Sequence, residues 1–108
     1  MKGFGDHARA GAQDGLDHDE EMMFRIQARR NRLLGQWAAV RMGLDQAETE
    51  SYARSVVQAE FEESGDEDVI RKVLGDILQS GVHVTEAEVR TSLSARTVEA
   101  KRQLMGDS

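Results

Sequence analysis

The sequence predicts an all-α fold, a four-helix bundle with a flexible N-terminal arm, and three observations carry that prediction. Apolar residues recur at helical spacing in four blocks, the first three closed by Gly43, Gly65 and Gly81. No proline occurs in the 108 residues, so nothing in the chain forces a helix to break. Alanine, leucine, glutamate, arginine and glutamine, all good helix formers, are plentiful.

Residues 1–19 contain four of the ten glycines and few large apolar groups, so they are expected to be disordered or a frayed helix. A glycine inside a helix costs about 1 kcal/mol relative to alanine, and Gly11 and Gly15 keep the arm from holding a helix alone. A helical domain is expected from residue 20 to residue 108. Its first helix spans about 20–42, with Asp17 or Asp19 as cap and Glu20 and Glu21 complementing the macrodipole. This helix is the hub of the chain. Met23, Ile26, Leu33, Leu34, Trp37 and Leu44 share one stripe, and Arg30 and Arg41 fall inside it. A second line of mostly small residues, Phe24, Ala28, Asn31, Gly35, Ala38, Ala39 and Met42, would let another backbone or a flat ligand come close.

Asp45 and Glu48 form a capping box for a second helix over about 46–64, whose stripe is Tyr52, Ala53, Val56, Val57 and Phe61, with Glu60 intruding on it. Asp66 is expected to cap a third helix over about 67–80, with Val69, Ile70, Val73, Leu74, Ile77 and Leu78 turned to the core. Thr85 and Glu88 make another capping box, stapled by Val84 and Val89. The helix it opens, about 86–105, has a thinner stripe of Val89, Leu93, Thr97, Ala100 and Leu104.

Composition excludes several classes of function. A net charge of −6 argues against nucleic-acid binding. The absence of cysteine removes disulfides and thiolate metal sites. No window holds even ten uncharged apolar residues in succession, which argues against a membrane span, and no signal-peptide run opens the sequence. A soluble, cytoplasmic protein is expected. His7, His18 and His83 lack metal-ligand spacing, and no nucleophile has a base to serve it, so neither a metal site nor catalysis is expected.

Charge is distributed unevenly. Residues 22–43 carry five arginines and no acid, whereas residues 44–80 carry ten acids against Arg54, Arg71 and Lys72. Arg30 and Glu60 would each be costly to bury alone, so a pair between them is expected; the alternative is that both snorkel to the edge of their stripes. Arg29, Arg30 and Arg32 with Arg71 and Lys72 have the chemistry to meet a phosphate group, with an adenine ring against Trp37 or the groove at Gly35 and Ala38. The bland reading is solvated arginines in surface pairs.

The run Ala28-Arg29-Arg30-Asn31-Arg32-Leu33-Leu34-Gly35, followed by Trp37-Ala38-Ala39, resembles the signature of the zeta subunit of α-proteobacterial F-type ATP synthases. A second block agrees: Tyr52-Ala53, Val56-Val57, Ala59 to Glu63, Gly65, Glu67-Asp68-Val69 and Arg71-Lys72-Val73. The resemblance implies a four-helix body with a mobile inhibitory arm, and restraint of ATP hydrolysis by the catalytic head of the synthase, with its alpha, beta and gamma subunits as partners. It also implies a site for ADP or ATP as a regulatory ligand, and a location at the membrane-bound synthase without insertion into the membrane. The arm residues singled out are Phe4, Asp6, Arg9, Leu16 and Asp19. Charge and placement nominate Arg29, Arg30, Gly35, Trp37, Arg71 and Lys72 for the nucleotide. The arm departs from the family pattern at Gln13-Asp14-Gly15-Leu16, where glycine raises the cost of ordering. The rival expectations are a nucleotide sensor or an adaptor whose main role is not ATPase inhibition.

Overall fold

The computed structural model describes residues 10–62 and 65–106, with side-chain positions over 19–60 and 65–106. Four helices follow one another: α1 (Ala10–Met42), α2 (Gln46–Glu62), α3 (Asp66–Gln79) and α4 (Glu86–Met105). α1 packs against all three others, and among the described residues α2 and α4 do not meet. The arginine-rich helix is therefore the central rod, flanked by α2 and α4, with α3 between those two.

Local chemistry sets the helix ends. Asp45 Oδ1 accepts the Glu48 N–H at 2.8 Å while Glu48 Oε1 accepts the Asp45 N–H at 2.9 Å, which opens α2. Thr85 and Glu88 do the same for α4. Val84 and Val89, the staple, are both buried in the core. α1 and α3 close alike. Gly43 and Gly81 take φ of 75° and 90°, and the amides of the residues that follow, Leu44 and Val82, reach back to the Ala39 and Ile77 carbonyls. A side chain at either glycine would be strained in that left-handed conformation.

The core gathers Leu34 and Ala38 of α1, Val56 of α2, Val69, Ile70, Val73 and Ile77 of α3, and Val84, Val89 and Leu93. Each large side chain among them contributes about 1.5–3 kcal/mol by leaving water. Trp37, Tyr52 and Leu74 close its edges half-buried. Tyr52 also donates its hydroxyl to Asp76 at 2.8 Å, and Lys72 meets the same carboxylate at 3.0 Å.

Four expectations change. α1 begins at Ala10 rather than near residue 20, so residues 10–19 continue the body helix. Extending a helix that tertiary contacts already hold avoids the cost of nucleation, and two glycines are then too small a penalty to stop it. Leu78 is exposed instead of buried, because α3 is covered on only part of its circumference. Met23 and Phe24 are likewise exposed, since they lie on α1 near the level at which its partner helices finish. Asp66 is no cap: Gly65 occupies that position with no side-chain bond, and Asp66 is the first residue of α3.

Candidate functional site

α1 is held in place by a buried polar cluster. Arg30 is 6% exposed, and its guanidinium meets Glu60 of α2 at 3.0 Å and Asp66 of α3 at 3.0 Å. Asn31, fully buried, accepts from Arg30 Nε at 3.1 Å and donates to the same Glu60 oxygen. Two adjacent residues of α1 thus tie down the end of α2 and the start of α3. Every charge in the cluster has an opposite partner within hydrogen-bond range, the condition under which burying charge is tolerable. The Arg30–Glu60 pair was legible as two charges on apolar stripes. Asn31 and Asp66 were missed, because the first was read as a small residue and the second as a cap.

Next to this cluster α1 comes very close to α2. A Cβ built on Gly35 would lie 2.7 Å from the Ala53 Cα, so the glycine is what permits the two backbones to touch. The line of small residues serves helix packing, and Gly35 and Ala38 have no exposed face for a flat ligand.

The other residues nominated for a nucleotide lie apart. Arg29 is exposed and donates to Gln103 of α4 at 2.9 Å, whereas Arg71 pairs with Asp68 at 2.7 Å within α3. Lys72 lies over the Tyr52 ring. Trp37 is covered by the Arg41 guanidinium, 4.9 Å from the ring centre. Arg29, Trp37 and Arg71 border three different cavities, and Arg30, Gly35 and Lys72 border none of those three. Of the arm residues, Phe4, Asp6 and Arg9 lie outside the described residues. Leu16 falls on α1, and Asp19 is exposed there.

Two cavities have the chemistry of a binding place. One, of about 350 Å³, lies between α1 and α4 and is lined by Trp37, Arg41, Ser92 and Arg96 among others. The Ser92 hydroxyl is buried beside it with no hydrogen-bond partner. The other, about 420 Å³, is bordered by Phe24, Ala28, Val57 and Leu104, with Arg25, Arg29 and Arg32 along it.

The register of the helices shows where the body ends. α4 runs antiparallel to α1, with Glu88 opposite Arg41 and Gln103 opposite Arg29. α2 is antiparallel too, Glu50 meeting Arg32 and Glu60 meeting Arg30. α4 therefore stops opposite about residue 26 and α2 nearby. α1 is 33 residues long, about 50 Å, against about 30 Å for the 20 residues of α4. Of residues 19–25 only Met22 is partly covered.

Comparison with known proteins gives the family. The family model for ATPase inhibitor subunit zeta matches residues 1–103. The chain belongs to that family. A zeta-family chain is an inhibitory subunit of an ATPase, here the ATP synthase. No curated protein matches. A solved structure, determined by NMR in solution, is 48% identical and superposes with a TM-score of 0.69, over 78% of this chain and 95% of that one. No helix among the described residues is long and apolar enough to cross a membrane.

Proposed function

We propose that this zeta-family chain restrains ATP hydrolysis by entering the catalytic head of F-type ATP synthase with its N-terminal segment, residues 1–19. The observation that carries the reading is the length of α1, which begins at Ala10, well before the level at which its partner helices end. A rod standing clear of a rigid body suits a cleft that opens only at some stages of turnover, and blocks it mechanically without chemistry of its own. Phe4, Asp6, Arg9, Leu16 and Asp19 are the residues of that segment proposed to meet the alpha, beta and gamma subunits. The body would stay at the surface of the membrane-bound enzyme.

ATPase assay of the purified head tests this. The full chain is expected to inhibit, and a chain lacking residues 1–19 is expected to keep its melting temperature and lose most inhibition. Equal inhibition by the trimmed chain would move the mechanism onto the body.

A second reading, ADP or ATP sensing, is favoured by the cavity at Trp37. An adenine ring suits the indole face, and Arg41 and Arg96 suit phosphate oxygens. The unpartnered Ser92 hydroxyl is a further polar group for such a ligand. Trp37 is the only tryptophan, so its fluorescence should change on titration with ADP or ATP. An unchanged signal, with no binding by calorimetry, would remove this reading.

A further inference from the structure

We infer that the face around Phe24, Ala28, Val57 and Leu104, edged by Arg25, Arg29 and Arg32, is a docking surface for an acidic amphipathic helix of the ATP synthase head. The inference rests on the function proposed above and adds to it a place on the body where the partner is held.

The floor of this face is apolar and comes from three helices: Phe24 and Ala28 from α1, Val57 from α2 and Leu104 from α4. Phe24 is 52% exposed; Met23, beside it in α1, and Met105, beside Leu104 at the end of α4, are 58% and 59% exposed. Large apolar side chains this open, collected near the level on α1 where α2 and α4 finish, mark a contact surface.

Charge complementarity selects the occupant. Arg25, Arg29 and Arg32 stand at i, i+4 and i+7, so they form one ridge beside the floor. This ridge is basic on a chain whose net charge is −6. From Arg25 to Arg32 is about 10 Å along the axis, two helical turns. A single phosphate group cannot engage three guanidinium groups spread over that distance. A second helix, with carboxylates at the same spacing and an apolar stripe beside them, meets both the ridge and the floor. Nucleic acid would match the ridge, but it would leave the apolar floor uncovered.

The ridge can exchange its present partners. Arg25 touches Glu21 at 3.4 Å with both side chains about 60% exposed, and Arg32 meets Glu50 at 2.6 Å with both 41% exposed. Open, solvent-screened pairs of this kind contribute little, so incoming carboxylates displace them at small cost. Arg30, next to Arg29 in sequence but turned into the buried cluster, keeps the ridge in line while its neighbours change partners.

The test uses the full chain and the purified catalytic head. Two triple variants lower the net charge by the same amount in different places. Arg25→Gln, Arg29→Gln and Arg32→Gln remove the ridge; Gln46→Glu, Gln79→Glu and Ser94→Glu leave it intact. The first set is expected to weaken binding to the head at least 100-fold, the second less than threefold, with circular dichroism melts confirming that both fold. A photo-crosslinking residue in place of Phe24 should then label an acidic amphipathic helix of a head subunit. Equal weakening by the two sets, or labelling of a segment without carboxylates at helical spacing, overturns the docking face alone. Failure of the wild-type chain to bind the head overturns the function and the docking face together.

Discussion

Arg30 shows how one side chain can fix the geometry of three helices. Its guanidinium meets Glu60 and Asp66, and the Asn31 amide donates to the same Glu60 carboxylate. Glu60 is 13% exposed, so losing Arg30 would leave a carboxylate largely out of water with only an amide to answer it. Arg30→Met, close in length, should destabilise the fold by about 3 kcal/mol in urea unfolding followed by Trp37 fluorescence. Exchanging the charges, Arg30→Glu with Glu60→Arg, should recover only part of that loss, because the new carboxylate would face Asp66. Adding Asp66→Asn should recover more, and an exchange as stable as wild type would contradict the three-way cluster. Tyr52 supplies a pH test of the core edge. Burial first, then the hydrogen bond to Asp76 and the charge of that carboxylate, push its phenol well above the ordinary value of 10.0. A raised folded-state value means stability fully present below pH 10 and lost above it, as the unfolded chain ionises while the folded one does not. Tyr52 is the only tyrosine, so absorbance at a phenolate wavelength reports it alone. It should stay protonated past its ordinary range and ionise only as the protein unfolds, and Tyr52→Phe should remove that part of the alkaline loss.

The same substitution in two helices separates propensity from packing. In α3, Gly75 is exposed, with nothing within 4 Å of a Cβ built on it, so Gly75→Ala should stabilise by up to about 1 kcal/mol. In α1, a Cβ on Gly35 would lie 2.7 Å from the Ala53 backbone and 3.2 Å from Val56. Gly35→Ala should therefore destabilise by about 1–3 kcal/mol as α1 and α2 are pushed apart, despite the better helix propensity of alanine. Thermal melts of the two variants should move in opposite directions. The pair also shows what could be read from the sequence. Helix ends set by neighbouring residues were legible: the boxes at Asp45 and Thr85, and the stops at Gly43 and Gly81. The hub was legible as well, since α1 has more than one packing face. What spacing could not tell is which face another helix covers. Leu78 fits its stripe and is exposed, and Gly35 reads equally as a helix contact or a ligand groove until α2 is placed on it. The nominated nucleotide residues share a charge type but lie around different cavities, a separation that depends on tertiary arrangement alone.

At the scale of the whole molecule the decisive feature is a mismatch of lengths. α1 outruns its neighbours because proline is absent and because a helix anchored by the body can be extended at small cost per residue. Packing gives most of the stability of a helix, so the first turns of α1, remote from the core, have only local propensity to hold them. Gly11 and Gly15 lie in those turns. Each lowers the helical preference by about 1 kcal/mol, so Gly11→Ala with Gly15→Ala should raise helix content by circular dichroism and leave the unfolding of the body at Trp37 unchanged. Inhibition then reports the shape in which the segment acts. If it enters the head as a helix, the ordering cost falls by at most about 2 kcal/mol in total, and the chain should inhibit up to about thirtyfold more tightly. That is the expected outcome of titrating the variant into an ATPase assay of the head. Weaker inhibition by the more helical variant would mean that the segment unwinds to enter, with the glycines serving that unwinding.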